Sequence, residues 1–162
     1  MKTWFFVITC LAGAFSFAVS PSAVRAQDAT WVLNPVDANW NNPANWSPQI
    51  VPNGVATFGT SNQTEVDVLD LLTGVDTLVF RPGGDAFTIT SLPGSSLSFE
   101  GSGINNKSTA MQTFAVAHAI DGTGGSIEFL GNSTISGLVT LIATGGEDGN
   151  IKFQDTSRAG RQ

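Results

Sequence analysis

The sequence predicts an all-β chain wound as a parallel β-helix, a solenoid of a few short coils with a tryptophan-containing cap at its N-terminal end. Three observations carry this. An apolar-x-Phe ending recurs in TLVF (77–80), SLSF (96–99), SIEF (126–129) and NIKF (150–153), with ATF (56–58) as a weaker relative. Gly-rich stretches separate these endings: RPGGD (81–85), LPGSS (92–96), DGTGG (121–125) and GGEDG (145–149). Glycine is the residue that turns at positive φ require. Finally, the chain is rich in Gly, Ser, Thr and Asn and has no Tyr. It lacks the long helix formers at 3.6-residue spacing that amphipathic helices need.

The first element, residues 1–26, reads as a signal peptide. Lys2 supplies the positive start, Trp4 to Val19 form an apolar run, and Val24 and Ala26 satisfy the small-residue rule. Cleavage is expected between Ala26 and Gln27, with export through the Sec pathway. The alternative is an uncleaved anchor, for which the run is short. Cys10 lies in the middle of the apolar run, not at its end, which argues against a lipoprotein. Removing Lys2 and Arg25 leaves five basic residues against thirteen acidic, a charge of −8. Such a chain is a poor nucleic-acid binder, because phosphate neutralisation needs clustered cations. The single cysteine leaves with the leader, so stability must come from packing and backbone pairing.

The second element, residues 27–54, is the expected cap. It holds Trp31, Trp40 and Trp46, and the 116 residues after Trp46 contain no further Trp. Two readings compete. As a cap the indoles fold over the first coil, burying large area while their N–H groups find carbonyls or water. As a ligand platform they stack on sugar rings, with Asn39, Asn41 and Asn45 donating hydrogen bonds. The cap is favoured, since a solenoid requires closed ends and a platform is optional.

Residues 55–162 form the expected repeats. Phe58, Phe80, Phe99, Phe129 and Phe153 follow one another at 22, 19, 30 and 24 residues, a period that marks solenoids. Within each segment the apolar residue and the Phe lie two apart, on one face of a strand. In 64–69, Val66 and Val68 alternate with Glu65 and Asp67; in 113–120, Phe114, Val116, His118 and Ile120 share a face opposite Ala115, Ala117 and Ala119. Residues 137–143 are a further strand candidate. Roughly four to five coils result. The alternative is an antiparallel sandwich of equally short strands. A sharp test separates them: Ser126–Phe129 and Asn150–Phe153 align at an offset of 24, so in-register coils place Glu128 beside Lys152 and Ile127 beside Ile151.

Taken together, ATW (29–31), NWNNPANWS (39–47), VPNGVATFG (51–59), TLVF through FTIT (77–90), GSIEFLGNSTISG (125–137) and NIKFQDTSRAG (150–160) resemble the N-terminal part of secreted bacterial proteins with autotransporter-associated β-strand repeats. The resemblance covers nearly all of the chain after the leader. It implies a right-handed parallel β-helix, export in a diderm bacterium, and display at or release from the cell surface. Members of that family are longer and often carry a C-terminal barrel or sorting signal. The sequence stops a few residues after its last Phe strand, so a fragment of a longer passenger is expected, with an open C-terminal edge that promotes self-association.

No residue in the pattern calls for catalysis. His118 is the only histidine, and no spacing partners it with a nucleophile or carboxylate. The acidic residues are dispersed, and only Arg81, Arg158 and Arg161 remain as arginines, too few for a solenoid polysaccharide lyase. GGEDGNIKF (145–153) resembles a calcium nonapeptide repeat only once, without tandem Asp positions. The sequons at Asn45, Asn62, Asn106 and Asn132 follow from composition. The expectation is a secreted structural solenoid with no catalytic, cofactor or metal residues and no small-molecule substrate. The runner-up is an adhesin or glycan-binding module using the Trp cluster, with a cell-surface glycan or protein as partner. An enzyme, the third class, would need paired carboxylates or a metal cage.

Overall fold

A computed structural model describes residues 26–143 and 149–160. Residues 1–25 of the expected signal peptide (1–26) and most of the expected turn GGEDG (145–149) lie outside the described residues.

The cap contributes β1 (Ala29–Trp31), a 3-10 turn (Pro43–Asn45) and β2 (Trp46–Ser47). The chain then passes through β3 (Val55–Phe58), β4 (Glu65–Val68), β5 (Thr73–Phe80), β6 (Thr88–Ser91), β7 (Ser96–Asn106) and β8 (Gln112–Val116). It continues through β9 (Ser126–Phe129), β10 (Thr134–Ser136), β11 (Val139–Ala143), β12 (Asn150–Phe153) and β13 (Arg158–Ala159). All of these pair in parallel except β2, which runs antiparallel to β1. The fold is therefore the solenoid and not the sandwich.

Register assigns the strands to three faces. The first stacks β1, β3, the second half of β5, the second half of β7, β10 and β13. The second stacks β4, β6, β8 and β11. On the third, the first halves of β5 and β7 carry β9 and β12. Six strand levels on the first face make five turns from β1 to β13. β5 and β7 each run along two faces, so the first and third faces form one nine-stranded sheet. β5 rounds its corner at a register shift between Val75 and Thr77, as a bulge bends a strand.

Inward side chains stack coil upon coil. Val66, Ile89, Phe114 and Leu141 align on the second face, and Val75, Phe99, Phe129 and Phe153 on the third. Ala56, Leu78 and Ile104 line the first face and are 0–1% exposed. Full burial of each large apolar side chain contributes about 1.5–3 kcal/mol, which is how a domain without disulfides holds together. Phe99 stacks on Phe129 at 4.8 Å and 17°, and Phe129 on Phe153 at 4.7 Å and 7°.

Two expectations need correction. The five phenylalanines do not mark one strand in successive coils. Phe58 and Phe80 are partners on the first face, whereas Phe99, Phe129 and Phe153 are partners on the third; the partner of Phe80 is Asn106. The 19-residue interval is the step from one ladder to the other. The strand expected over 113–120 ends at Val116. His118 and Ile120 lie beyond it in a turn held by Ala119 N–H to Thr123 O at 2.7 Å and Gly122 N–H to Ala119 O at 3.0 Å, and Ile120 projects fully into solvent.

One strand stretch was invisible as such. EGSGINN (100–106) has turn composition, yet it forms the rest of β7, paired on both sides. Gly103 adopts φ +83° there, and a Cβ would lie 2.3 Å from Thr134 O. The close approach of the next coil, not a turn, is what requires this glycine.

Candidate functional site

The tryptophan cluster is the first candidate. β1 is the lowest rung of the first face, and β2 folds back on it with Trp31 opposite Trp46. The Asn42 side chain caps the 3-10 turn by accepting from Ala44 N–H at 3.0 Å, with Pro43 opening it. All three indoles are 0–2% exposed. They pack on one another and on Phe58, the first ring of the solenoid core, at centroid distances of 5.0–5.8 Å. Trp46 Nε1 donates to Trp40 O at 2.7 Å and Trp31 Nε1 to Gln63 O at 3.2 Å. Trp40 Nε1 is buried without a partner. A platform needs exposed rings, so the glycan-stacking reading of this cluster is overturned.

The asparagines serve the same closure. Asn45 is fully buried: its Oδ1 accepts from Val36 N–H at 2.8 Å, and its Nδ2 donates to Asp37 Oδ1 at 2.6 Å and Asn39 O at 2.8 Å. The Asn45 and Asn42 amides and the Asn39 N–H hold the Asp37 carboxyl below the usual carboxylate range. Asn41 donates to Thr73 Oγ1 at 2.9 Å and accepts from Leu69 N–H at 3.3 Å, tying the cap to the first coil. Cap and coil are continuous on the second face as well, where Trp40 N–H donates to Asp67 O and Asp67 N–H to Ala38 O. Burial pushes the Asp67 carboxyl up.

His118 is exposed, and its backbone forms an isolated antiparallel bridge with Gly124. The hydrogen bonds from Thr123, N–H first, draw the nearby Asp121 carboxyl down and fix that turn. Among the described residues, no three His, Cys, Asp or Glu side chains gather into a metal-holding group.

The outward surface consists of columns with one residue per coil. On the second face one column reads Glu65, Thr88, Thr113, Thr140, and its neighbour Asp67, Thr90, Ala115, Ile142. On the third face one reads Ser98, Glu128, Lys152, and beside it the Ser126 and Ser96 hydroxyls are 2.8 Å apart. Short hydroxyl side chains dominate. One open depression lies where the third face meets the first, lined by Ala26, Asn53, Gly74, Asp76 and Glu100. It joins two carboxylates that the sequence reading left dispersed. They lie 24 residues apart, so only the coil offset could have found them. A second depression runs along β10 and β13, from Thr134 to Gly160.

No family model, curated protein or solved structure matches the chain. The class of molecule therefore rests on its geometry: a β-solenoid with a closed tryptophan cap and a surface of hydroxyl columns.

Proposed function

We propose that the chain is a structural segment of an exported cell-surface protein, a passenger-like solenoid of the kind carrying autotransporter-associated β-strand repeats, which displays surface without performing chemistry. The observation that supports this best is the uninterrupted core from Trp31 and Phe58 to Phe129, in which each turn covers the last and the large aromatics serve packing. Energy invested in that way produces a stiff rod whose outer residues can vary freely. The leader-like residues 1–26 supply the export half of the reading. Its partner at the surface would be a glycan or protein met through the hydroxyl columns.

Expression in a diderm host with a C-terminal tag tests it. The expected product leaves the cytoplasm, begins at Gln27 on N-terminal sequencing, and loses its C-terminal tag to protease added outside the inner membrane. Cytoplasmic retention with Met1 still in place would overturn the proposal.

A further inference from the structure

Charge is sorted among the faces. Of the four described cations, Lys152 is paired with Glu128 on the third face, while Arg81, Lys107 and Arg158 lie on the first face or at its edge. Among the described residues, no Asp or Glu faces outward on the first face. Carboxylates sit instead on the second face, at Glu65 and Asp67, and at the far edge of the first, at Asp76 and Glu100. Asp85, beyond the turn that follows Arg81, is half-buried and accepts from Ser61 N–H at 2.9 Å.

Arg81 and Lys107 are consecutive in one column. Arg81 N–H donates to Phe58 O and Lys107 N–H to Phe80 O, both at 2.9 Å, so the ladder continues past the strand ends through Gly59, Arg81 and Lys107. Backbones in neighbouring rungs are about 4.8 Å apart, and like charges set side by side repel. Arg81 leans away: its Nη2 reaches Thr30 Oγ1 at 3.5 Å, two coils below. The position beneath it is Gly59, with open space about it. Guanidinium and ammonium are thus strung along the rod axis. Beside them run outward Thr57, Val79 and Asn105, with Thr77 one column further.

We propose that the first face binds an acidic polysaccharide laid along the rod, its carboxylates on Arg81 and Lys107 and its hydroxyls on Thr57, Thr77 and Asn105. Cations spread over successive coils fit acidic groups repeated along an extended chain better than one small ion. Arg81 presents a planar fork that pairs bidentately with a carboxylate. Short hydroxyl and amide side chains match sugar hydroxyls. A protein partner would want a buried aromatic anchor, and nucleic acid more cations and stacking rings; the outward side of this face offers neither. The acidic surfaces elsewhere repel the polymer and confine it here. Such a ligand specifies the glycan partner of the surface-segment reading above and rests on that reading for its source.

Titration of the purified chain with polygalacturonate at about 10 mM salt, where screening is weakest, tests this, with neutral dextran and poly-glutamate as comparisons. The expected result is binding that shifts first-face amides in NMR spectra and disappears at about 1 M salt. Dextran and poly-glutamate should bind at least about fivefold more weakly, the first lacking charge and the second hydroxyls. Arg81→Gln and Lys107→Gln should each weaken binding about threefold, whereas Lys152→Gln on the third face should change it less than about twofold. All three replace exposed side chains, and circular dichroism checks that each variant is folded. The chain can be purified wherever it accumulates, so a failure to bind is distinct from a failure of export. No binding to polygalacturonate, equal binding of poly-glutamate, or an equal loss in Lys152→Gln would each overturn the proposal.

Discussion

Lys152 Nζ lies 3.3 Å from Glu128 Oε1, the two residues occupying the same outward position in successive coils. The pair marks register more than it supplies stability. The Lys152 side chain is 50% exposed and that of Glu128 25%, and exposed pairs contribute about 0.2–1 kcal/mol. Glu128→Gln should therefore cost under about 0.5 kcal/mol in urea denaturation. The exchange Glu128→Lys with Lys152→Glu should restore what Glu128→Lys alone removes; failure of that rescue would deny the adjacency.

The aromatic ladder carries far more. Phe129 is sandwiched between Phe99 and Phe153 and fully buried, whereas Phe153, among the described residues, stacks on Phe129 alone and is 39% exposed. Phe129→Ala should cost about 3–5 kcal/mol and Phe153→Ala about 1–2 kcal/mol. Equal losses in chemical denaturation would mean that the two rings are not in the stacked order described.

Within the cap, two tryptophans make opposite demands. Trp46→Phe removes the donor to Trp40 O, whereas Trp40→Phe removes a buried N–H that has no partner. Similar area is lost in each, so Trp46→Phe should be worse by about 1–2 kcal/mol, the cost of an unmade buried hydrogen bond. Tryptophan fluorescence during unfolding reports both.

Acid should loosen the cap first. The Asp37 carboxyl is held low by Asn45, Asn42 and the Asn39 N–H. A lowered folded-state pKa gives stability that is complete above the ordinary carboxylate range and is lost as pH falls through the folded value. Asp67, raised by burial, acts with the opposite sign over the range just above. Asp37→Asn should flatten the low-pH limb of cap unfolding, followed by indole exposure; an unchanged limb would show that Asp37 does not control it.

Glycines of similar backbone conformation should differ by their surroundings. Gly83 has φ +74° with open space about it, while Gly103 has φ +83° with the Thr134 backbone 2.3 Å from a would-be Cβ. Gly83→Ala should cost about 1–2 kcal/mol, the left-handed penalty alone. Gly103→Ala must also push two coils apart, and should exceed that by at least 2 kcal/mol or prevent folding. Thermal melts of the two variants decide.

Legibility followed chemistry. Where an apolar-x-Phe ending meets a Gly turn, as at Ser126–Phe129 and Asn150–Phe153, strand, register and ion pair could all be read, because side-chain alternation and a 24-residue offset suffice. Three-sidedness could not. Phe80 and Phe99 look alike in sequence, yet Phe80 ends β5 on the first face while Phe99 lies within β7 on the third, and the corner between Val75 and Thr77 leaves no compositional mark. Glu100–Asn106 was hidden because a close coil contact needs the same glycine a turn does. Asn45, at the centre of the cap network, was weighed as a sugar donor; its burial, which sequence alone does not give, reversed that.

The most direct test of the coiled architecture is backbone NMR contact mapping between β9 and β12. The account predicts parallel contacts in which Ser126, Ile127, Glu128 and Phe129 meet Asn150, Ile151, Lys152 and Phe153 in that order. Strong Hα–Hα contacts running in opposite directions along the two strands, or no contact between Ile127 and Ile151, would contradict it.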